Sequence, residues 1–372
     1  MKKILFFIPS LGHGGAERVL TNLVNHMNQD EFDITVQTMF DVGIYQQQLN
    51  KNIKYIGGLK WYFPGNTKIY KLFSPKQLYK FYIKDKYDII VSYLEGPSAR
   101  VISGCDDGTK LVSWIHIEQI SDKYVTQVFR NMAEANKSYN KYNKIVCVSD
   151  TVREDFEKVF DVDTKPIVLY NTVEAEVIKE KSLEKVEDIT FNSNEINLCS
   201  VAKLMHSKGY DRLIPVCEKL IDDGFPIHLY LIGKGEEKES LQKQALELGI
   251  EDNITFVGFK SNPYKYVKNS DLYVCSSRRE GFSTAVTEAL IVGTPVVSTN
   301  CSGAKELLGY NNEYGIVTNN DENALYEGVK EMLSGDKGLS YYKEKAIERG
   351  EKFDTKATVD AVENMLMEVL KS

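Results

Sequence analysis

The amino-acid sequence predicts an α/β protein with two doubly wound domains in series. With 372 residues, the chain is longer than one ordinary hydrophobic core supports. Its 42% hydrophobic and 27% charged residues are typical of a globular protein. Strand-like apolar runs alternate with helical patterns, which indicates βαβ units and parallel sheets. Since such sheets bind ligands at the carboxyl ends of their strands, we expect the two domains to face a central cleft.

The first series opens with "KILFFIP", a run of buried-strand length, and the turn "SLGHGG". The next apolar residues recur at helical spacing and predict an amphipathic helix: Ala16, Val19, Leu20, Leu23, Val24 and Met27. Further strand-like runs follow in the order "DITVQTM", "YDIIVSYL", "KLVSWIHI", "NKIVCVS" and "PIVLYN". Together they predict an N-terminal domain over residues 1–173.

The second series follows a charged stretch, residues 174–195, that has no strand-like run and is interpreted as a linker. The strand-like runs after it are "INLCSVAKL", "IHLYLIG", "NITFVGF", "DLYVCSS", "TPVVST" and "YGIVT". They predict a C-terminal domain over residues 196–352. Residues 353–372 are interpreted as a closing helix.

The composition argues against export, membrane insertion and disulfides. The first apolar run stops at Pro9 with no cleavage site after it. No segment approaches the roughly 20 apolar residues that a membrane span requires. The cysteines lack a C-x-x-C pair, and several lie in strand-like runs, so we expect reduced, buried thiols in a cytoplasmic protein: Cys105, Cys147, Cys199, Cys217, Cys275 and Cys301.

The net charge of −7 is unevenly distributed. Residues 1–173 carry 22 basic and 19 acidic side chains, a net of +3, whereas the remainder carries 24 and 34, a net of −10. An acidic chain argues against nucleic acid as the main partner. The basic first half is compatible with an anionic surface that touches one domain.

The stretch "RREGFSTAVTEALIVGTPVVST" has two glutamates, Glu280 and Glu288, on either side of a predicted helix start. Eight residues of helix rise about 12 Å, which is about the distance from the ribose to the sugar of a nucleotide sugar. A carboxylate accepts hydrogen bonds from vicinal hydroxyls, which both ends of such a ligand present. The N–H groups of Phe282, Ser283 and Thr284 open the helix and are suited to the phosphates between them. On spacing alone, two surface glutamates beside a helix start remain the alternative.

Two further clusters are suited to phosphate. Gly14 and Gly15 lie between a strand and a helix, where the helix N-terminus favours an anion. Lys203 and Lys208 follow the first strand of the second series, and lysine is a mobile point charge suited to a diphosphate. An ordinary glycine turn and two solvated lysines are the alternatives.

The motifs together resemble glycosyltransferase family 4, which comprises retaining sugar-nucleotide transferases of the GT-B fold, with two Rossmann-like domains. The resemblance rests on "EGFSTAVTEAL" followed by "GTPVVST", with "GGAERVL" near the N-terminus and "VAKL" and "KGYDRLI" in the second half. "VSDTVREDF" and "VLYNTVE" resemble the stretches that close the family's first domain. The likeness covers nearly the whole chain and implies a transferase of the kind that builds bacterial surface polysaccharides.

The resemblance implies roles for the matching residues of the second half. Glu280 would hold hydroxyls of the donor sugar, and Glu288 those of the ribose. Lys203 and Lys208 would bind the diphosphate. Phe259 would lie where the family's backbone contacts the nucleobase.

In the first half, Gly14 and Gly15 match the family's glycine loop near the phosphates and the acceptor. His116, in "SWIHIE", matches a histidine near the reacting sugar, although a lone histidine is more often structural. The residues expected to act in catalysis are therefore His116, Lys203, Lys208 and Glu280.

The sequence departs from the family pattern at three places. Ala202-Lys203 replaces a Gly-Arg pair, which removes a bidentate fork from the diphosphate site. Ser283 replaces the usual glycine after the aromatic residue, and "VLYNTVE" replaces the commoner Asn-Gly. None of these changes removes a charge, so activity is expected.

The resemblance implies front-face attack by an acceptor hydroxyl while the nucleotide diphosphate departs. Lys203, Lys208 and the helix amides would stabilise the leaving charge. No cofactor or metal is expected. The "DVD" of Asp161–Asp163 imitates a metal motif but lies outside the strand-end clusters, so we interpret it as a solvated loop.

Two other classes of protein remain as alternatives. An NAD-dependent oxidoreductase has doubly wound sheets, but its glycine fingerprint is missing here. A non-catalytic partner of another transferase is expected to lose site charges, whereas this chain keeps all four: Lys203, Lys208, Glu280 and Glu288.

Residues 51–88, the basic-aromatic segment, carry nine lysines, two aspartates and ten aromatic residues. A second cluster, "NKSYNKYNK", repeats the pattern. Lysines among Trp, Tyr and Phe suit a membrane interface with anionic lipid. The sequence thus predicts that the first domain docks on the inner face of the cell membrane and acts on a lipid-linked glycan. Aromatic residues that belong partly to the core are the alternative.

Overall fold

The computed structural model describes residues 1–12, 14–60, 69–119 and 125–372. The chain forms two compact units, one of Met1–Val173 with Thr355–Ser372 and one of Glu174–Asp354. Each unit contains one parallel sheet with helices around it. This confirms the predicted pair of doubly wound α/β domains.

In the first unit, the described strands form one sheet in the order β3-β2-β1-β4-β5-β6-β7. The strands are β1 (Lys2–Ile8), β2 (Phe32–Thr38), β3 (Lys54–Ile56), β4 (Ile89–Ser92), β5 (Lys110–Ile115), β6 (Lys144–Cys147) and β7 (Ile167–Val168). The sequence predicted all of them except β3. With three residues at the sheet edge, β3 is too short to produce an apolar pattern.

The helices described within Met1–Val173 of the first unit are α1 (Gly15–His26), α2 (Pro75–Tyr82), α3 (Pro97–Ile102), α4 (Met132–Tyr139) and α5 (Asp150–Val159). Most of the apolar stripe of α1 is buried, as its spacing predicted. Ser74 caps α2, where its hydroxyl accepts from the Gln77 N–H and the Gln77 side chain reciprocates.

In the second unit, the strands have the order β10-β9-β8-β11-β12-β13. They are β8 (Ile196–Val201), β9 (Ile227–Ile232), β10 (Ile254–Gly258), β11 (Leu272–Cys275), β12 (Val296–Thr299) and β13 (Ile316–Thr318). The helices are α6 (Ala175–Ser182), α7 (Tyr210–Asp222), α8 (Lys238–Glu247), α9 (Tyr264–Lys268), α10 (Thr284–Ile291), α11 (Ala304–Leu308), α12 (Glu322–Ser334) and α13 (Gly338–Gly350).

Two segments that the sequence analysis placed outside the two domains each belong to one of the units. The charged stretch 174–195 belongs to the second unit and contains α6, whose Ala175, Ile178 and Ser182 are buried. The closing helix, α14 (Thr355–Lys371), belongs to the first unit although it follows the second in the chain.

The strand order reverses direction at one point in each sheet. In the first sheet, β1 lies between β2 and β4, and in the second, β8 lies between β9 and β11. Loops leave the carboxyl ends of neighbouring strands in opposite directions at such a point, which leaves a crevice for a ligand. The predicted site residues follow β1, β5, β8, β10 and β11.

Candidate active site

The lysines and the first glutamate of the predicted donor site lie where the second sheet reverses. Lys203 follows β8 and is exposed, whereas Lys208 ends a short 3₁₀ turn before α7. Glu280 lies in the loop that leaves β11, the strand beside β8. The topology therefore brings together side chains that are more than seventy residues apart in sequence.

Glu280 is held by two hydrogen-bond donors. Lys208 Nζ lies 2.7 Å from Glu280 Oε1, and the Ser277 hydroxyl donates to the same oxygen at 2.7 Å. Both members of the ion pair are mostly shielded from solvent, with side chains 22% and 15% exposed. Lysine has three N–H donors, so Lys208 has donors left for a ligand beside Glu280.

The pKa of Lys208 reflects two opposing effects. Burial lowers it, but the charge of Glu280 and the hydrogen bond to Glu280 outweigh burial and raise the pKa above its ordinary value. Lys208 therefore stays cationic at neutral pH. The site thus keeps a positive charge at a position suited to a leaving phosphate.

Arg212 on α7 fixes the loop that carries Glu280. Its buried guanidinium donates to the carbonyl oxygens of Ser276 and Ser277 at 2.6–2.9 Å, and to the Asn320 side chain at 2.6 Å. The Ser276 hydroxyl in turn donates to the Lys208 carbonyl at 2.8 Å. The two loops at the reversal of the sheet are thereby joined through hydrogen bonds of buried polar groups.

Gly209 allows the closest approach between these loops. Its φ is +68°, and a Cβ atom at this position would lie 2.1 Å from the Ser276 carbonyl oxygen. A side chain here would therefore meet backbone that Arg212 already holds in place. Only glycine satisfies both the conformation and the contact.

We expect Gly209→Ala to destabilise the second unit and to displace Glu280. The matched control is Gly249→Ala, because Gly249 has a φ of +70° and nothing within 4 Å of the added carbon. Left-handed strain alone predicts a loss of about 1 kcal/mol for the control, and the added clash predicts at least about 3 kcal/mol for Gly209→Ala. Urea unfolding measures both, and equal losses would show that the close approach is unimportant.

The helix start between the two glutamates has the predicted form. Ser283 caps α10 by accepting from the Val286 N–H, and Thr284 is the first residue of the helix. Phe282 is buried against Gly303, and Glu288 lies on the second turn of α10, 7% exposed. The contacts of Phe282, Ser283, Thr284 and Glu288 with a donor stay a prediction.

Phe259 follows β10, on the edge of the same sheet. It is 47% exposed, and Lys234 Nζ lies 5.2 Å from the centre of its ring. An exposed aromatic face beside a cation is suited to a planar ligand. Contact of Phe259 with a nucleobase stays a prediction.

His116 lies directly after β5, at the carboxyl edge of the first sheet. Its backbone N–H donates to Glu95 Oε2 at 2.8 Å, and its ring packs on Tyr93 with centroids 4.8 Å apart. Nε2 is shielded from solvent and has no hydrogen-bond partner among the residues that the structure describes. Burial lowers the pKa of His116 to about 3, so the ring is neutral at physiological pH.

The glycine loop after β1 is occupied by a carboxylate. Gly14 caps α1 and Gly15 begins it, but a Cβ atom on Gly14 would lie 2.0 Å from Glu17 Oε2. The position of the Glu17 carboxylate opposes the binding of a phosphate unless the side chain moves. The roles of Gly14 and Gly15 in phosphate binding stay a prediction, and His13 of this loop lies outside the described residues.

The described residues contain no group of three or more His, Cys, Asp or Glu side chains that could hold a metal ion. The "DVD" segment is bound to Asn140, which donates to the Asp161 carbonyl and accepts from the Asp163 N–H. Among the same residues, no helix is long and apolar enough to cross a membrane.

Sequence reasoning missed the residues that hold the candidate site and the one that occupies the glycine loop. Arg212, Ser277 and Glu17 have no signal of their own, because their partners are distant in sequence or depend on loop geometry. Arg212 and Glu17 do lie in the quoted motifs "KGYDRLI" and "GGAERVL". The motifs therefore included Arg212 and Glu17 but did not indicate which contacts their side chains make.

Two protein-family models match the chain. The model described as Glycosyltransferase Family 4 matches residues 13–177, and the model described as Glycosyl transferases group 1 matches residues 182–349. The first match lies in the first unit except for residues 174–177, which belong to the second unit, and the second match lies within the second unit.

One relative is N-acetylgalactosamine-N,N'-diacetylbacillosaminyl-diphospho-undecaprenol 4-alpha-N-acetylgalactosaminyltransferase of Campylobacter jejuni. It is 29% identical over 388 residues, which cover 98% of this chain and 100% of the relative. Anabaena HepE in complex with UDP and glucose has a TM-score of 0.76 at 19% identity, covering 99% of this chain and 100% of HepE. Sucrose-phosphate synthase of Thermosynechococcus elongatus has a TM-score of 0.80 at 14% identity, with both chains fully covered. These likenesses show that the fold is GT-B.

Proposed function

The chain belongs to glycosyltransferase family 4, and from this premise we propose that it is a retaining enzyme that uses a nucleotide sugar, UDP-linked, as donor. It moves a hexose or N-acetylhexosamine to a hydroxyl of a lipid-linked glycan in the synthesis of a cell-surface polysaccharide. The observation that carries the proposal is the Lys208–Glu280 pair at the reversal of the second sheet. A cation and a carboxylate side by side there suit the diphosphate and the sugar of one donor molecule.

The donor's sugar and nucleotide contact different residues. The Glu280 carboxylate accepts hydrogen bonds from sugar hydroxyls, and Lys203 and Lys208 neutralise the diphosphate. Glu288 on α10 binds the ribose, and Phe259 lies against the base. HepE is similar in fold and was solved with UDP, which supports the choice of UDP.

The mechanism follows from where charge develops. As the glycosidic bond breaks, the diphosphate gains negative charge that Lys203, Lys208 and the N-terminus of α10 stabilise. The acceptor hydroxyl attacks from the same face, and the leaving phosphate accepts its proton. His116 is neutral and acts as a hydrogen-bonding residue near the sugar. In this mechanism Lys203 and Lys208 supply the positive charge that a divalent metal would otherwise supply, so no metal ion is required.

The acceptor class draws support from the Campylobacter jejuni relative, which by its name acts on a diphospho-undecaprenol-linked sugar.

The exposed side chains of the basic-aromatic segment also support a membrane-borne acceptor. Leu72 is 77% and Phe81 55% exposed, and the segment's exposed lysines include Lys76, Lys80, Lys84 and Lys86. We propose that the first unit docks on the inner leaflet through them. Tyr79 and Tyr82 are instead core residues, and Trp61, Tyr62 and Phe63 lie outside the described residues.

We expect the protein to sediment with anionic vesicles at low salt and to lose this binding near 0.5 M salt, where the Debye length falls to a few ångströms. Each lysine near an anionic bilayer contributes about 1 kcal/mol. Replacing Lys76, Lys80, Lys84 and Lys86 by glutamate should therefore abolish sedimentation and leave donor binding unchanged. Binding that ignores lipid charge, salt and these lysines would rule out this docking mode.

The experiment that tests the proposed function is incubation with a panel of sugar nucleotides, scored for slow hydrolysis by mass spectrometry. We expect at least one UDP-sugar to be hydrolysed by the wild-type protein and not by a Glu280→Ala variant. The absence of hydrolysis and binding across the panel would favour a non-catalytic partner of another transferase. Binding of NAD instead would favour the oxidoreductase alternative.

A further inference from the structure

A pocket of about 510 Å³ lies on the first unit. Its walls are the start of α2, the segment after α3 and one face of α4. Four cationic side chains line it: Lys76, Arg130, Lys137 and Lys141. Arg130, Lys137 and Lys141 lie on or beside α4, and the tertiary structure brings Lys76 of α2 to them.

The pocket keeps a positive charge after its own ion pairs are counted. Lys76 binds Asp106 at 2.5 Å, and the buried Arg100 binds Glu134 through two hydrogen bonds, at 2.9 and 3.2 Å. Burial alone would raise the pKa of Glu134, but the hydrogen bonds and charge of Arg100 outweigh it and keep the carboxylate ionised. With Arg100 included, five cations face two carboxylates, which leaves three positive charges in excess.

A buried hydroxyl also lines the pocket. Ser138 is only 4% exposed and is one of the residues that line the pocket. A serine hydroxyl can donate a hydrogen bond to a ligand oxygen. A cationic pocket with a hydroxyl donor is suited to a phosphate group.

Exposed apolar residues adjoin this pocket. Arg100 donates to the carbonyl oxygens of Tyr70 and Phe73 at 2.8 and 2.9 Å, and Arg130 donates to the Lys71 carbonyl at 2.8 Å. These contacts attach residues 70–73 to the pocket wall, with Leu72 and Phe73 exposed. A soluble phosphate ester has no apolar region to contact these exposed side chains, whereas a phospholipid has one next to its phosphate.

We propose that this pocket binds the phosphate of an anionic phospholipid headgroup. The inference rests on the proposed docking of the first unit at a membrane. It adds one defined lipid-binding site to the general attraction between the exposed lysines and anionic lipid. The headgroup phosphate contacts Arg130, Lys137 and Lys141 and accepts a hydrogen bond from Ser138. The lipid would thereby set the orientation of the basic-aromatic segment on the bilayer.

The test compares two double variants with the same charge change. Lys137→Ala with Lys141→Ala removes two pocket cations, and Lys158→Ala with Lys165→Ala removes two exposed lysines that do not line the pocket. Affinity for phosphatidylglycerol vesicles should fall about 30-fold in the first and less than about threefold in the second. Ser138→Ala, which keeps the charge, should weaken binding several-fold. Equal losses in the two double variants would overturn the pocket in favour of diffuse attraction.

Two further arms separate the source of the phosphate and the proposed function. Glycerol 1-phosphate and inorganic phosphate, titrated by calorimetry, should bind at least tenfold more weakly than vesicle lipid. Tight binding of either, without vesicle binding, would assign the pocket to a soluble phosphate and overturn the lipid proposal. UDP-sugar hydrolysis should be unchanged in both double variants, so loss of lipid selectivity with intact hydrolysis leaves the transferase proposal standing.

Discussion

We expect Glu280→Ala to lower the turnover number by roughly 100-fold or more, because we propose that this carboxylate binds sugar hydroxyls and so positions the reacting carbon. Glu280 is well placed for this task, since Lys208 and Ser277 hold one of its oxygens at 2.7 Å each. Steady-state kinetics with the UDP-sugar found in the panel measures the effect. Circular dichroism and urea unfolding show whether the variant is folded.

Two further variants complete the test. Glu280→Gln separates the shape of the Glu280 side chain from its charge, and Glu288→Ala separates donor binding from catalysis. Glu280→Gln keeps the shape and one acceptor oxygen but removes the ion pair with Lys208, so an intermediate loss is expected. Glu288→Ala should chiefly weaken donor binding, by about 1.5–3 kcal/mol, the contribution of a hydrogen bond to a charged group. Kinetics near those of the wild type in both alanine variants would contradict the donor-site assignment.

The second large effect is expected for Lys208→Ala, which removes a mostly shielded cation that we propose stabilises the leaving diphosphate. Loss of one preorganised donor at a developing charge typically lowers turnover by about 10²–10³-fold. The dissociation constant for uridine, which has no phosphate, should change little. Comparing turnover with uridine affinity therefore distinguishes a role in departure of the diphosphate from a general role in binding.

Lys208→Arg is the matched control, because it keeps the positive charge and changes its geometry. It should retain more activity than Lys208→Ala if charge is the main contribution. Lys203 is exposed, so Lys203→Ala should cause a smaller loss than Lys208→Ala. A Lys208→Ala enzyme with normal turnover and weakened uridine binding would show that this lysine does not stabilise the leaving group.

The sequence predicted the layers of the fold because buried parallel strands produce continuous apolar runs. All six strands of the second unit were predicted for this reason. The missed elements lack that pattern. β3 has three residues, and α6 has only a short buried stripe among lysines and glutamates.

The arrangement inside the candidate site was less accessible from sequence. The spacing of Glu280 and Glu288 and the position of Lys208 after a strand predicted a donor site, but the ion pair between Glu280 and Lys208 depends on β8 and β11 being neighbours in the sheet. The role of Arg212 depends on carbonyl oxygens more than sixty residues away. Glu17 shows the converse, because its carboxylate occupies a glycine loop that the sequence predicted for phosphate.

The most direct test of the central proposal is the configuration of the transferred sugar. The protein would be incubated with the α-linked UDP-sugar and a diphosphate-linked glycan lipid in excess EDTA, and the product's anomeric coupling measured by NMR. We predict transfer that persists in EDTA and gives an α-linked product, since Lys203 and Lys208 are proposed to stabilise the leaving diphosphate. A β-linked product, or transfer that strictly requires Mg²⁺ or Mn²⁺, would contradict the proposal.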